Sequence, residues 1–157
     1  MKVINIEGTI RTLNELIKTC HCSQRSFARA AKYLAAGNIK RFCAEQSRVR
    51  AQFRADLLEE VGELEGTENG NQKPAKRISS TWIEFQIMPP TEDALILLAC
   101  RKVDDGAIQQ YKKALAYPLP TPVRSVVEYQ YFTIQQAYDQ LLKWNQGELL
   151  HVAETKS

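Results

Sequence analysis

The sequence predicts an all-α protein in which four long helices pack side by side as a bundle. Gly and Pro are scarce, with seven Gly and six Pro among 157 residues, and most of them lie outside the regular stretches. Residues 42–61 contain neither residue type and carry apolar side chains at helical spacing. Three further stretches share this length and pattern. With 44% hydrophobic and 25% charged residues, the composition is that of an ordinary globular protein, and we expect one domain over residues 1–157.

The first helix is predicted over residues 12–36, after a short arm at residues 1–11 that lies against the bundle. Thr12 and Glu15 have the spacing of a capping box, in which each side chain accepts a hydrogen bond from the backbone N–H of the other residue. Gly37 is expected to end this helix, and Asn38 is expected to cap the next one.

The second helix is predicted over residues 38–64, antiparallel to the first because the connection between them is very short. Its apolar line contains Phe42, Val49, Phe53, Leu57 and Val61. A crossover over residues 65–90 follows. It begins with a polar loop that contains two Gly and a Pro, and it ends with a short helical segment at residues 79–88 before two Pro.

The third and fourth long helices are predicted over residues 91–117 and 121–145. Thr91 suits the cap of the third helix, and two acidic residues follow it in the first turn. Thr121 suits the cap of the fourth helix, with Pro122 at the first helical position. Gly147 is expected to close this helix, which leaves residues 146–157 as a frayed tail.

The lengths of these segments indicate how the chain is connected. Each long helix has roughly 25 residues and spans about 37 Å, so the four match one another. The first and last connections are short and make hairpins, whereas the crossover over residues 65–90 is long enough to return the third helix parallel to the second. A bundle with one such crossover has the ferritin-like topology.

The net charge of +3 is small, but the charges are unevenly placed along the first two helices. Basic residues predominate between Arg25 and Arg54, and acidic residues predominate between Glu59 and Glu68. This pattern is typical of a solvated, salt-bridged pair of helices, and the alternative is a polar interface with an acidic partner. A net charge this small does not indicate a nucleic-acid partner.

No N-terminal stretch has the apolar core of a signal peptide, and no window of the sequence approaches the length of a membrane span. We therefore expect a cytoplasmic protein with no membrane partner. Its four Cys are expected to be reduced thiols.

A ferritin-like bundle raises the question of a di-metal centre. Such a centre needs a Glu from each of two helices and a Glu-x-x-His from each of the other two, because hard oxygen and imidazole ligands must converge from four sides. The sequence has two His, and its one Glu-x-x-His, at Glu148 and His151, lies beyond Gly147. We interpret that match as accidental.

Polar side chains nevertheless fall near the inward faces of the predicted helices. The candidate ligands of a variant metal site, which would take iron or manganese, are Asp104, Glu128 and Gln24. A buried polar network is predicted around Arg50, Gln46 and Tyr138. In that network Arg50 or Arg101 would pair with Asp104, since buried polar groups need partners.

The remaining candidate motifs favour structure over chemistry. Cys20, His21 and Cys22 resemble a metal motif, but residues two apart on a helix point about 200° apart and cannot easily share one ion. These thiols are interpreted as small apolar core groups. No Gly-rich phosphate loop and no nucleophile–His pairing is recognisable, so these motifs assign no catalytic or cofactor-binding residue, and a non-enzymatic protein is favoured over an enzyme.

Tyr129 and Phe132 flank the inward face of the fourth helix. They are predicted to be exposed and to mark a contact between copies. We accordingly expect a homo-oligomer, namely a dimer, that forms through exposed helix faces.

Several motifs of moderate specificity carry a family resemblance. They are Leu13-Asn-x-Leu16-Ile17 with Phe27-x-x-Ala30-Ala31, Arg48-x-Arg50-Ala-Gln-Phe53 with Leu57, Trp82, Asp104-Asp105 with Tyr111-x-x-Ala114-Leu115, and residues 123–130. Over residues 12–144 the chain resembles an uncharacterised bacterial family of four-helix-bundle proteins in the ferritin-like superfamily, known as a domain of unknown function. The resemblance implies a cytosolic bacterial protein with a link to stress or metal handling, and it brings no established reaction.

The chain departs from this family at two positions. Where relatives carry an acidic residue in the first helix and a His late in the fourth, this chain has Gln24 and Tyr138. The departures imply a lost or weakened metal site. The leading hypothesis is therefore a non-catalytic bundle with a binding or assembly role. The alternatives are a metal-dependent oxidase or storage protein with a variant carboxylate site, and, less favoured, an anion-binding or nucleic-acid-binding protein that uses the basic face from Arg25 to Arg54.

Overall fold

The computed structural model describes residues 5–35, 37–68 and 93–155. For residues 67–68 and 145–155 it describes the backbone alone. These residues form four α-helices, and within the described ranges there is no strand. The helices are α1 (Ile6–Tyr33), α2 (Asn38–Glu68), α3 (Asp93–Leu115) and α4 (Thr121–Thr155). The prediction of an all-α protein with four long helices is confirmed.

The contacts between helices establish their arrangement and directions. Helix α1 packs along both α2 and α3, and α4 packs along α3 and more lightly against α2. The backbone N–H of Ala35 donates to Asp93 Oδ1 at 3.3 Å, so α1 ends where α3 begins. The Phe42 ring, early in α2, packs edge-on against the Trp144 ring, late in α4. Helices α2 and α3 therefore run in the same direction, and α1 and α4 run opposite to them.

Helix α1 begins earlier than the sequence predicted. Asn5 caps it by accepting the N–H of Gly8 on its Oδ1 at 2.9 Å. The Thr12 hydroxyl donates to the Gly8 carbonyl inside the helix, so the predicted capping box of Thr12 and Glu15 is wrong. The predicted arm is wrong for residues 6–11, because a good cap at Asn5 lets the apolar side chains of this stretch join the helix.

The other helix ends also differ from the predicted bounds. Helix α1 stops at Tyr33, and Gly37 supplies the positive φ of 118° that the turn needs. Helix α2 continues to Glu68 and α4 to Thr155, so residues 65–68 and 146–155 are helical and were not predicted to be. A single Gly inside a helix costs only about 1 kcal/mol, so Gly66 and Gly147 do not end these helices. The rest of the predicted crossover, including the short helical segment at residues 79–88, lies outside the described residues.

The apolar core consists of two clusters along the bundle axis. The first surrounds Leu13, Phe53, Leu57 and Tyr111 and contains residues from all four helices. The second surrounds Phe27, Leu34, Ile96, Leu97 and Leu141 at the end where α1 finishes. The apolar line predicted for α2 is confirmed at Phe53, Leu57 and Val61, which are at most 4% exposed.

Two adjacent leucines of α2 provide a direct test of this packing. Leu57 is fully buried, whereas Leu58 is 37% exposed. We expect Leu57→Ala to lower the free energy of unfolding by about 2–5 kcal/mol, through lost burial and a residual cavity. Leu58→Ala, the matched control, should change it by less than about 1 kcal/mol. Urea denaturation followed by circular dichroism measures both, and equal losses would contradict the packing described here.

Candidate functional site

A charged pair lies at the centre of the bundle. Arg50 of α2 and Asp104 of α3 are both 0% exposed. Arg50 Nη1 donates to Asp104 Oδ1 at 2.6 Å, and Arg50 Nη2 donates to Asp104 Oδ2 at 3.0 Å. This bidentate geometry is the strongest form of an Arg–carboxylate contact. Because α2 and α3 do not pack along each other, the pair links helices that are diagonal in the bundle.

Other side chains complete the surroundings of the Arg50 guanidinium. Its Nη2 also donates to Gln46 Oε1 at 3.0 Å, one turn earlier on α2. The ring of Phe27, from α1, lies with its centroid 4.9 Å from the guanidinium carbon. A desolvated cation over an aromatic ring is a favourable contact. One donor, Arg50 Nε, has no hydrogen-bond partner among the described residues.

A second polar chain joins the other sides of the bundle. The Cys20 thiol of α1 and the Tyr111 hydroxyl of α3 lie 3.1 Å apart. The Tyr111 hydroxyl donates to Gln130 Oε1 of α4 at 2.6 Å, and Gln130 Nε2 donates to the Phe53 carbonyl of α2 at 3.2 Å. Together with the charged pair, this chain places hydrogen-bonded polar groups from all four helices inside the core.

Burial determines the protonation states of these groups. It raises the pKa of the Cys20 thiol to about 11, and the hydrogen bond with Tyr111 offsets only part of that rise. Burial also raises the pKa of Tyr111 well above its ordinary value. For Asp104 burial raises the pKa and the Arg50 guanidinium opposes the rise. For Arg50 burial acts to lower the pKa, but Asp104 outweighs it and the net shift is upward.

These protonation states do not suit catalysis. A thiol with a raised pKa is a poor nucleophile, since the thiolate is the reactive form. Cys20, Tyr111 and Gln130 are each at most 1% exposed, so no substrate reaches them in this conformation. Because its hydrogen bonds connect all four helices, the network holds them in register. Arg50 and Gln46 were predicted to lie in such a network, whereas Tyr138 instead packs partly buried against the first core cluster.

The three candidate metal ligands are not brought together. Both carboxylate oxygens of Asp104 are occupied by Arg50. Glu128 is exposed on α4, and Gln24 is only partly buried on α1. Among the described residues there is no group of three or more His, Cys, Asp or Glu side chains placed to hold a metal ion. The fully buried carboxylate already has a cationic partner, so this donor set does not fit iron or manganese.

Three members of the network were not assigned to it in advance. Cys20 and Tyr111 each fall on an apolar helical line, and the polar atom at the tip of such a side chain leaves no signal in that pattern. Gln130 was recognisable as an inward polar residue, and a buried amide needs partners on both of its polar atoms. Its partners come from α2 and α3, which only the tertiary structure identifies.

A cleft of about 340 Å³ opens on the surface between α1 and α3, and we call it the α1/α3 cleft. Its residues are Arg11, Thr12, Glu15, Leu16, Gln110, Lys113, Ala114, Ala116 and Tyr117. Leu16 and Ala114 are buried at its base, while Arg11 and Lys113 are exposed at its rim. The cleft therefore combines an apolar base with two cations and one exposed carboxylate, Glu15.

Tyr117, one wall of this cleft, is fixed from two directions. Its hydroxyl lies directly against Gly8, where an added Cβ would come within 1.8 Å of it. Its carbonyl accepts a hydrogen bond from Arg124 Nη2 at 3.0 Å, and the same group donates to the Leu115 carbonyl at 3.1 Å. Arg124 thus satisfies the free carbonyls at the end of α3, and the cleft has a defined shape.

Two aromatic side chains stand out on the opposite side of the molecule. Tyr129 is 67% exposed and Phe132 is 59% exposed, one turn apart on α4. The Tyr129 ring packs edge-on against the buried Phe53 ring, with centroids 6.2 Å apart, so it is held in place. Their predicted exposure is confirmed, and we refer to them as the aromatic pair.

The charges divide the bundle into two sides. Outside the buried pair, the adjacent helices α1 and α3 carry nine basic and four acidic residues, a net charge of +5. Over residues 38–66 and 121–144, the adjacent helices α2 and α4 carry six basic and eight acidic residues, a net charge of −2. On α2, burial raises the pKa of Glu60, and its neighbours Glu63, Glu59 and Asp56 raise it further. The cleft thus lies on the basic side, and the aromatic pair lies on the acidic side.

Comparison with known proteins gives one family. The family model described as "Domain of unknown function (DUF2383)" matches residues 8–117, which span α1, α2 and α3. The chain matches none of the curated proteins with which it was compared. In the part of the chain that the structure describes, none of the helices has the length and apolar character needed to cross a membrane.

The charged pair makes a clear prediction about stability. We expect Arg50→Met or Asp104→Leu alone to destabilise the protein by about 3–5 kcal/mol, since each leaves one buried charge without its partner. The double variant should be more stable than either single variant, because it removes both charges. Urea denaturation of the four proteins measures this cycle. The exposed pair Glu45 and Arg48 is the control and should show no measurable coupling, and additive losses at residues 50 and 104 would contradict the pairing.

The Cys20 thiol makes a second prediction, about pH. Its pKa is about 11 in the folded protein against an ordinary value of 9.0, so the unfolded chain loses its proton first as the pH rises. The stability that depends on this proton is present below pH 9 and is lost above it. Between pH 8 and pH 10 we expect this thiol to account for a loss of about 1 kcal/mol in the free energy of unfolding of the wild type.

The measurement compares the free energy of unfolding of the wild type and of Cys20→Ala at both pH values. The variant lacks the titrating thiol, so its disadvantage should shrink by that same amount at pH 10. A difference between the two proteins that stays constant from pH 8 to pH 10 would show that this thiol does not titrate as described.

Proposed function

Because the chain belongs to the DUF2383 family, to which no reaction is attached, we propose from its own geometry that it is a non-enzymatic helical bundle that acts by self-association. The surface that mediates association is the face of α4 that carries the aromatic pair. The observation that carries this proposal is the exposure of Tyr129 and Phe132, at 67% and 59%, on a helix whose other Val, Ile, Leu, Tyr and Trp side chains are buried or half-buried over residues 121–144.

The buried network supports a role outside the interior of the bundle. The buried polar side chains at the centre form hydrogen bonds with partners inside the core. The Cys20 thiol and the Tyr111 hydroxyl stay protonated, because burial raises the pKa of each. A binding or catalytic role needs groups that a ligand can reach. The accessible features are on the surface, where aromatic side chains are the residues most enriched at the centres of protein interfaces.

The directions of the helices support a ferritin-like topology for this bundle. Helices α2 and α3 run the same way, so a connection between them that returns along the bundle, as in ferritin-like proteins, would suit this arrangement. The metal-dependent alternative has no comparable support, because Asp104 is bound by Arg50 and Glu128 points to the solvent. A cytoplasmic, bacterial setting and a link to stress remain predictions.

Sedimentation velocity over a range of concentrations tests the proposal. We expect the wild type to form species larger than the 17.9 kDa single chain. The double variant Tyr129→Ser with Phe132→Ser should weaken this association at least about tenfold, since central aromatic residues dominate interface energies. Both side chains are exposed, so the variant should keep its helical circular dichroism spectrum.

Leu95→Ser is the matched control. Leu95 is 52% exposed on α3, on the other side of the bundle. The substitution therefore removes an exposed apolar side chain and leaves the aromatic pair unchanged. The control should associate like the wild type. A wild type that is a single chain at all concentrations, or an equal loss in the control, would overturn the proposal.

A further inference from the structure

We infer that the aromatic pair of one copy docks into the α1/α3 cleft of the next copy, so that identical chains associate head to tail. This inference rests on the proposed function and specifies it further. It assigns a partner surface, which lies on the same chain, to the aromatic pair. It also assigns a role to a cleft that the buried network does not use.

The charges argue against the simpler symmetric dimer. In a two-fold dimer each aromatic pair would face the same surface of the other copy, and two sides that both carry a net negative charge would meet. Like charges placed together across an interface are unfavourable, whereas complementary potentials speed encounter and set orientation. The side of the molecule that complements the acidic α2/α4 side is its own α1/α3 side, with a net charge of +5.

The shapes and chemistry of the two surfaces also match. The cleft has a volume of about 340 Å³, which is ample for an aromatic side chain. Its base is formed by Leu16 and Ala114, which suit an aromatic ring. At its rim the two exposed cations Arg11 and Lys113 outnumber the one exposed anion, Glu15, and Glu128 is an exposed anion beside the aromatic pair. Insertion of a ring would bring the opposite charges together at the edge of the contact.

The position of the two surfaces determines the kind of assembly. They lie on opposite sides of the same bundle, because α1 and α3 form one side and α2 and α4 form the other. A contact between two different surfaces leaves one of each free at the ends of every complex. Copies therefore add successively, and they form a ring where the rotation closes or an open chain where it does not.

Complementation between two variants tests this arrangement. The first is Tyr129→Ser with Phe132→Ser, which removes the aromatic pair and keeps the cleft. The second is Arg11→Glu with Lys113→Glu, which reverses the charge of the rim and keeps the aromatic pair. We expect each variant alone to be a single chain at concentrations where the wild type associates. A 1:1 mixture should form a complex of two chains and nothing larger, because only one competent contact is left.

Lys32→Glu with Lys102→Glu is the matched control for the rim variant. This variant makes the same change in net charge on the basic side but outside the cleft. It should therefore weaken association by less than about threefold. The rim variant should weaken association by at least about tenfold. Association of the wild type should also fall steeply between 50 mM and 500 mM NaCl, since exposed charges are screened at high salt.

The outcomes separate this inference from the proposed function. A rim variant that associates like the wild type, with no additional complex in the mixture, would overturn the head-to-tail contact and leave the aromatic pair as a symmetric interface. If the wild type binds a short single-stranded oligonucleotide, and the rim variant loses this binding but keeps its self-association, the basic side is a polyanion site and the inference fails. If removing the aromatic pair leaves association unchanged, the proposed function itself fails.

Discussion

The bidentate contact between Arg50 and Asp104 is the constraint on which the rest of the bundle depends. Both side chains are taken out of water, and each ion loses several kcal/mol of hydration that only close, well-aligned partners can offset. The arrangement around them follows from that requirement. Gln46 accepts the remaining Nη2 hydrogen bond, and Phe27 covers the guanidinium with its ring. A shift of one helix by a single turn would separate the two charges inside an apolar core.

The second polar chain has the same effect for the other two helices. Cys20, Tyr111 and Gln130 connect α1, α3 and α4, and the Phe53 carbonyl connects them to α2. Apolar side chains alone tolerate sliding, because one Leu can replace another in a contact. Hydrogen bonds of fixed length do not tolerate it. We therefore expect the polar centre to favour this one register of the four helices over others that the apolar clusters alone would not exclude.

Much of this structure could be predicted from the sequence, and the errors have identifiable causes. The apolar line through Phe53, Leu57 and Val61 follows from helical spacing alone, and so does the outward position of Tyr129 and Phe132. The ends of the helices do not follow so simply. Thr12 and Gly147 carry the usual signals for a start and a stop, yet Asn5 caps the helix earlier and α4 continues past its glycine. Local signals compete, and packing along the bundle decides between them.

The site was harder to predict because its members come from different helices. The sequence leaves the partner of Asp104 open between Arg50 and Arg101, since both lie near an inward helix face. The opposite charges of the two sides were not visible either, because the sequence places basic and acidic residues on every helix. They separate only when α1 is placed beside α3 and α2 beside α4.

The diagonal position of the charged pair has a consequence for the order in which the chain assembles. Residues 50 and 104 are 54 positions apart, whereas the α1–α2 and α3–α4 hairpins close over short connections. We expect the hairpins to form first, because local contacts close less chain. Until the two hairpins meet, both ions remain hydrated and neither hairpin gains from their attraction. Arg50 and Asp104 therefore lose their hydration water in the step in which the two hairpins pack against each other.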